Sequence, residues 1–144
     1  MNAKLHHIGF VVPDIVEAAE IFEAIGLFTR TNTEPDPIQK VSASFVNILP
    51  CQEVYVELLE PTDDSSPITN FLNKKGGGLH HLCFEVNDIE DTSARLKDKG
   101  FTMVTAPMKC EGFDKSFGCP ENENAKITFF MTGAKLLIEL LQRS

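Results

Sequence analysis

The stretch Leu5–Ile15, LHHIGFVVPDI, returns in the middle of the chain as Leu79–Ile89, LHHLCFEVNDI. Seven of the eleven residues are identical, and the two copies are separated by 74 positions throughout. All four histidines of the protein lie in this repeat, two in each copy. Self-similarity at a fixed spacing indicates that a chain is built from copies of one structural unit. The duplication therefore predicts the architecture, and it also pairs residues of a type that binds metal ions.

Each copy of the repeat continues into a segment with the pattern of a helix. Asp14 and Asp88 occupy the position of a helix N-cap, and an acidic residue follows each of them three positions later. Gly26 and Gly100 stand where a helix would end, 12 residues after the two aspartates. The sequence thus predicts helices of equal length over 14–26 and 88–100.

Three further strands are predicted after each helix. They cover residues 28–31, 41–49 and 53–60 in the first copy, and 101–105, 126–131 and 135–141 in the second. The motif VELL at 56–59 is echoed by IELL at 138–141, now at an offset of 82, so the second copy holds eight extra residues. We assign them to a loop over 108–124, which is rich in glycine and asparagine. A short helix over 67–73 and the glycines at 76–78 lead from one copy to the next.

These elements predict an α+β fold made of two tandem βαβββ modules in one domain. The domain spans 1–144, with one module at 1–75 and the other at 76–144. We expect a pseudo-twofold axis between the modules and mixed sheets that form a metal-binding cleft.

Composition narrows the classes of partner. The hydrophobic content of 42% and the charged content of 24% over 144 residues are typical of a soluble single-domain protein. A net charge of −8 argues against nucleic acid or an anionic membrane surface as a partner. No apolar run approaches the ~20 residues of a membrane span. An anionic small substrate needs only a local cationic cluster such as Lys74 and Lys75.

The four cysteines, at positions 51, 83, 110 and 119, show no Cys-x-x-Cys spacing. The N-terminus has no signal-peptide pattern, so we expect a cytoplasmic protein with free thiols. Cys110 and Cys119 flank one loop and would pair only under oxidising conditions.

Strand alternation separates the neighbouring histidines of each copy. His6 and His80 share their faces with strongly apolar residues: Ile8, Phe10 and Val12 in the first copy, and Leu82, Phe84 and Val86 in the second. We expect these faces to pack on the helices. His7 and His81 fall on the other face, whose residues are smaller or more polar, as in the lining of a cavity.

Glu57 and Glu139 interrupt otherwise apolar strands at equivalent places in the two copies. A carboxylate withdrawn from water costs several kcal/mol unless it is paired or bound to a metal. If only one such glutamate were present, a position on a solvent-exposed face of the sheet would explain it. Its recurrence in both copies, beside matched histidines, favours a functional site.

The predicted site therefore comprises His7, Glu57, His81 and Glu139, one histidine and one glutamate from each copy. Two imidazoles and two carboxylates suit one divalent ion of the Co, Ni, Zn or Mn type. The other two histidines, His6 and His80, are expected to face the core or to support the site without binding the ion.

At these residues the chain resembles the vicinal oxygen chelate superfamily, which includes glyoxalases, bleomycin-resistance proteins and dioxygenases, and the resemblance extends over essentially the whole chain. Within the superfamily it is most similar to the methylmalonyl-CoA epimerases and to small glyoxalase I enzymes. The stretches that carry the similarity are LHHIG at 5–9, VSASFVN at 41–47, VELLEP at 56–61, SPI at 66–68, GLHH at 78–81 and LIEL at 137–140.

Two departures from the family pattern bear on the substrate. Certain bacterial epimerases place an additional glutamate, which is not a metal ligand, in the third strand, whereas residues 41–45 hold no acid here. The family also has a short glycine-rich loop where this chain has the longer segment 109–124. That segment would border the cavity.

The resemblance implies a metal-assisted removal of a proton next to a carbonyl group. We expect Glu139 to act as the base and Glu57 as its counterpart, with a metal ligand loosening during turnover. The leading interpretation is epimerisation of a methylmalonyl-type thioester, and glyoxalase I (lactoylglutathione lyase) activity is the alternative. A non-catalytic drug-binding resistance protein is a third hypothesis, and a ring-cleaving dioxygenase fits less well. The expected partners are an acyl thioester or thiol adduct as substrate and a second copy of the chain in a homodimer.

Overall fold

The computed structural model describes residues 2–26, 28–48, 54–117 and 124–143. The first half contains β1 (Lys4–Val11), α1 (Ile15–Ile25), β2 (Phe28–Arg30), β3 (Glu34–Asp36), β4 (Val41–Ile48), β5 (Tyr55–Pro61) and α2 (Thr69–Lys75). The second half contains β6 (Gly78–Glu85), α3 (Ile89–Asp98), β7 (Thr102–Lys109), α4 (Phe113–Ser116), β8 (Lys126–Met131) and β9 (Leu137–Gln142). None of the helices among the described residues is long and apolar enough to span a membrane.

The strands form one mixed sheet in the order β2-β4-β5-β1-β6-β9-β8-β7, with β3 paired to the edge of β4. β1 runs parallel to β5, and β6 runs parallel to β9, while the other pairs are antiparallel. Each half thus has the same strand order, and the halves join through β1 and β6. This architecture confirms the predicted α+β fold with two βαβββ units. The exact module boundary between 75 and 76 stays a prediction.

The register of β1 with β6 shows that the two halves are related by a pseudo-twofold. Ile8 lies opposite Leu82, and the flanking pairs are His7 with Cys83 and Gly9 with His81. A shift by 74 positions exchanges these two flanking pairs and maps the central pair onto itself. The repeat in the sequence therefore becomes a local symmetry at the centre of the sheet.

The predicted helices are confirmed, and their first turns show why they begin where they do. The Asp14 carboxylate accepts a hydrogen bond from the Glu17 backbone N–H at 2.8 Å, and Asp88 accepts one from Asp91 N–H at 2.9 Å. These bonds satisfy backbone donors that have no partner within the helix. Gly26 ends α1 in the left-handed conformation, with φ of 85°.

Both long helices pack on one face of the sheet. Ile15 and Ala19 of α1 contact Val46 and Leu58, and Ile89, just inside α3, occupies the equivalent place in the second half. The opposite face carries a separate buried cluster, consisting of Phe45, Cys83, Phe113, Ala125, Ile127 and Leu141. This second face is therefore the one available to hold a site.

The structure differs from the predicted elements in four places. β3 was not predicted because it is three residues long and contains Pro35, and it exists through its pairing with β4. α4 lies inside the predicted loop, and β7 extends to Lys109. β9 begins at Leu137 rather than Lys135, because Lys135 has a φ of 66° and belongs to a turn. Residues 49–53 and 118–123, which include Cys51 and Cys119, lie outside the described residues.

Candidate metal centre

The four predicted ligands come from four adjacent central strands, β5, β1, β6 and β9. Two rows of paired residues cross the sheet there. In one row Glu57 lies opposite Gly9, which lies opposite His81. In the other, His7 lies opposite Cys83, which lies opposite Glu139. Since the rows are two residues apart on each strand, all four side chains project from the same face.

The structure brings the ligand atoms of these residues into a single buried cluster. His7 Nε2 lies 3.1 Å from His81 Nε2. It also lies 3.3 Å from Glu57 Oε1 and 3.4 Å from Glu139 Oε2. The corresponding distances from His81 Nε2 are 3.2 Å and 2.8 Å. The ligand and catalytic roles of the four residues remain predictions.

This spacing fits a single divalent ion. Atoms that each lie ~2.1 Å from one ion are ~3.0 Å apart at right angles and ~3.4 Å apart at tetrahedral angles. The five measured separations, from 2.8 to 3.4 Å, cover that range. Glu57 Oε1 is buried and makes no hydrogen bond of acceptable geometry to any described residue. A buried, unsatisfied carboxylate oxygen between two imidazoles is well suited to an ion.

Without an ion, protons take its place between the histidines and the carboxylates. Burial alone would lower the pKa of His7, but the Glu57 and Glu139 carboxylates outweigh burial and raise it to about 9. The same balance, with Glu139 as the main opposing charge, raises the pKa of His81 to about 10. For both glutamates, burial is outweighed by the histidines, which hold the carboxyl pKa below its usual value. The site therefore binds protons tightly when it lacks a metal.

The structure places His6 and His80 next to the predicted ligands His7 and His81, so the expected packing of these two side chains on the helices is wrong, while the supporting role that the sequence allowed stays a prediction. The pairing of β1 with β6 skips both residues, so each is the extra residue of a β-bulge. A bulge turns a side chain away from the face that simple alternation gives it. His6 Nδ1 consequently lies 2.8 Å from His7 Nδ1, and His80 Nδ1 lies 2.9 Å from His81 Nδ1.

These contacts determine which nitrogen of each ligand carries a proton. If His7 presents the lone pair of Nε2 to an ion, its Nδ1–H donates to His6 Nδ1, and His81 donates to His80 in the same way. The supporting histidines must then be neutral acceptors. Burial and the neighbouring histidine lower the pKa of His6 to about 4, and the same two causes lower that of His80 to about 4.

The two supporting histidines are held by aromatic rings. His6 has four such rings with centroids 5.4 to 6.2 Å away: Phe45, Tyr55, Phe113 and Phe117. His80 meets the Phe71 ring of α2 edge-on at 5.1 Å. α4 and the residue after it therefore contact a residue beside the candidate metal centre, from within the segment that the sequence predicted to be a loop.

Gly9 makes room for one of the ligands. A Cβ atom at this position would lie 2.2 Å from His81 Cε1, a separation that side chains do not adopt. The equivalent residue in the second copy is Cys83, which is fully buried and faces the same side. The glycine in LHHIG is thus required by the close approach of the His81 ring.

The four predicted ligands line a cavity of about 580 Å³, part of which is open to solvent. Its apolar wall includes Phe45, Phe129, Leu59 and Ile68. Three acidic residues other than the ligands also line it: Glu34, Asp36 and Glu111. The sequence reasoning missed them, because β3 has no recognisable strand pattern and the 109–124 segment no periodicity.

The profile of the glyoxalase/bleomycin resistance protein/dioxygenase superfamily matches residues 6–118. The chain belongs to this superfamily. Over 107 residues it is 36% identical to mitochondrial methylmalonyl-CoA epimerase of Homo sapiens, in an alignment covering 74% of this chain and 59% of the human protein. It is 34% identical over 102 residues to ethylmalonyl-CoA/methylmalonyl-CoA epimerase of Cereibacter sphaeroides, covering 69% of this chain and 73% of that protein.

Solved structures of the superfamily show the same fold. A methylmalonyl-CoA epimerase in complex with methylmalonyl-CoA and NH4+ superposes with a TM-score of 0.81 at 25% sequence identity. That alignment covers 100% of this chain and 96% of the other. The resemblance predicted from the motifs is therefore confirmed at the level of the superfamily, and its epimerase members are among the relatives.

Proposed function

We propose that this protein is a divalent-metal-dependent epimerase that exchanges the proton on the carbon next to a thioester carbonyl, with methylmalonyl-CoA or a close analogue as substrate. The observation that carries the proposal is the convergence of His7, Glu57, His81 and Glu139 in the lining of the cavity. Relatives named as methylmalonyl-CoA epimerases support the choice of substrate.

The ion would be held by His7 Nε2, His81 Nε2 and one oxygen each of Glu57 and Glu139. Cobalt, nickel, zinc and manganese all suit such a donor set. When bound, the ion supplies positive charge that stabilises the negative charge developing on the carbonyl oxygen.

The chain itself supplies the desolvated environment and the proton transfer. Phe45, Phe129 and the other apolar residues of the wall exclude water, which strengthens every electrostatic interaction in the cavity. Glu139 Oε2 lies 2.8 Å from His81 Nε2. We assign it the role of base, in which it takes the proton from carbon while His81 keeps the carboxylate oriented. Glu57 is the counterpart that the sequence suggests for the opposite face.

Two substrates separate this function from glyoxalase I activity. Protein loaded with each of the four metals is incubated with methylmalonyl-CoA and, separately, with the adduct of glutathione and methylglyoxal. Epimerisation of the thioester without turnover of the adduct is the expected result, and a His81→Ala variant is the control for contaminating activity. Turnover of the adduct alone would replace the proposal by glyoxalase I. Binding of a large planar drug with no turnover of either substrate would favour the resistance-protein hypothesis.

The expected homodimer and cytoplasmic location form part of the proposal. Sedimentation velocity on the metal-loaded protein tests the first, with a dimer as the expected species. Fractionation of source cells tests the second.

A further inference from the structure

Three acidic side chains share the cavity with the ligands without belonging to them: Glu34, Asp36 and Glu111. Two of the four ligands are also carboxylates, and using both for proton transfer would require both to leave the ion. A carboxylate that does not bind the ion could transfer the proton on one face of the substrate without requiring a second ligand to leave the ion. The contacts of Glu34 and Asp36 distinguish them.

Both carboxylate oxygens of Asp36 already accept hydrogen bonds. Its Oδ1 accepts from the backbone N–H groups of Ile38 and Gln39, at 2.9 and 3.1 Å. Its Oδ2 accepts from Gln39 Nε2 at 2.7 Å and from the Cys110 thiol at 3.7 Å. The residue is only 5% exposed. With both oxygens satisfied, this carboxylate stabilises the turn after β3.

Glu34 lines the cavity from the same short strand, but its carboxylate lacks the hydrogen bonds that hold Asp36. It pairs with Ala43 of β4, and paired residues on neighbouring strands project from the same face of a sheet. It is half-buried, and its carboxylate makes no hydrogen bond or ion pair to any residue of 2–26, 28–48, 54–117 and 124–143. The strand that carries it is held in place by Gly112, where a Cβ would lie 2.8 Å from the Pro35 carbonyl oxygen.

The register places Glu34 at a useful distance from the predicted ion. Glu57 pairs with Phe45, two residues along β4 from Ala43, so Glu34 lies two strands across and two residues along from Glu57. With ~4.8 Å between strands and ~3.4 Å per residue, the two Cα atoms are ~12 Å apart. A glutamate side chain spans ~4 Å of this from each side, which leaves room for a small acyl group.

We propose that Glu34 is the acid–base residue for one face of the substrate carbon, opposite Glu139, and that Glu57 acts only as a ligand. The inference rests on the proposed function. In one direction the Glu34 carboxylate takes the proton, the C–H bond breaks, and its electron pair moves into the thioester to form the enolate. The Glu139 carboxyl group then delivers a proton to the opposite face. Exchange with water returns the two carboxyl groups to their initial protonation states.

The test follows proton exchange for each enantiomer separately. Wild type, Glu34→Gln, Glu139→Gln and the control Glu20→Gln, at an exposed position of α1 outside the cavity, are incubated with (2R)- and (2S)-methylmalonyl-CoA in D₂O. Wild type and Glu20→Gln should exchange and epimerise both enantiomers. Glu34→Gln should lose epimerisation by ~10²–10⁴-fold yet still exchange the proton of one enantiomer. Glu139→Gln should retain exchange of the other enantiomer only.

A second measurement, which does not depend on turnover, separates catalysis from folding and binding. Dimethylmalonyl-CoA has no proton on the reacting carbon, so it can bind but cannot react. Its dissociation constant and the metal content of Glu34→Gln should stay within about threefold of wild type.

Three results would overturn the assignment. Full epimerase activity in Glu34→Gln would remove its catalytic role while leaving the proposed function intact. Loss of dimethylmalonyl-CoA binding in proportion to activity would give it a binding role instead. A wild-type protein that exchanges neither enantiomer would overturn both the proposed function and the role of Glu34.

Discussion

His7 Nε2 and His81 Nε2 lie 3.1 Å apart, although 74 positions separate the two residues. The distance follows from the register of β1 with β6, in which His7 pairs with Cys83 and Gly9 with His81. Two buried ring nitrogens at this separation, with carboxylate oxygens at 2.8 to 3.4 Å, are stabilised only when protons or a cation lie among them. The competition between protons and an ion gives the first prediction.

Metal binding should release about two protons at pH 7. The pKa values of about 9 for His7 and about 10 for His81 mean that both rings are protonated in the metal-free protein at this pH. Since an ion binds neutral imidazole, the apparent affinity should rise with pH up to about 10. Titration calorimetry in two buffers of different ionisation enthalpy measures the number of protons. Binding without proton release would contradict the protonated pair.

The metal-free protein should be most stable near pH 7. The raised pKa values of His7 and His81 contribute stability that is fully present below ~6.5 and is lost as pH rises through about 9 and about 10. The lowered pKa values of His6 and His80 contribute stability that is lost as pH falls from ~6.5 towards about 4. Melting temperatures measured with a chelator should therefore fall on both sides of neutrality. Added metal should remove the loss at high pH, and a melting temperature that rises from pH 7 to 10 without metal would count against this electrostatic account.

Gly9→Ala should prevent proper formation of the metal centre. The added Cβ would lie 2.2 Å from His81 Cε1, so the ring must move out of its position among the ligands. We expect at least a ~10-fold loss of metal affinity, measured by competition with a chromophoric chelator. Gly133→Ala is the matched control, because its Cβ would meet no atom within 4 Å. Equal affinity in the two variants would mean that the ring is not held by this contact.

His6→Phe should weaken metal binding although His6 is not predicted to bind the ion. The substitution keeps an aromatic ring among Phe45, Phe113 and their neighbours but removes the acceptor for His7 Nδ1. Loss of such a supporting contact typically costs ~10–100-fold in metal affinity. His6→Gln retains an acceptor and should recover part of the loss. If His6→Phe binds metal as tightly as wild type, the hydrogen bond has no orienting role.

Much of the fold could be predicted from the repeat, since a duplicated sequence folds into duplicated elements, and the repeat also singled out the four residues that the structure brings together. The matched Asp-to-Gly spacing gave the two helices, and the strand pattern grouped Glu57 with Glu139. The orientation of His6 could not be predicted, because its bulge depends on the register between two strands that lie far apart in sequence. The same applies to Glu34, whose strand of three residues exists only through its pairing with β4.

The most direct test of the central claim is NMR detection of solvent deuterium at the carbon next to the thioester carbonyl, with metal-loaded wild type and Glu139→Gln. Glutamine keeps an oxygen that can bind the ion but lacks the basicity of a carboxylate. Wild type should incorporate deuterium into both enantiomers of methylmalonyl-CoA. Glu139→Gln should retain much of the metal yet be ~10²–10⁴-fold slower in epimerisation. A wild-type protein that binds metal and thioester but exchanges no proton would contradict the account.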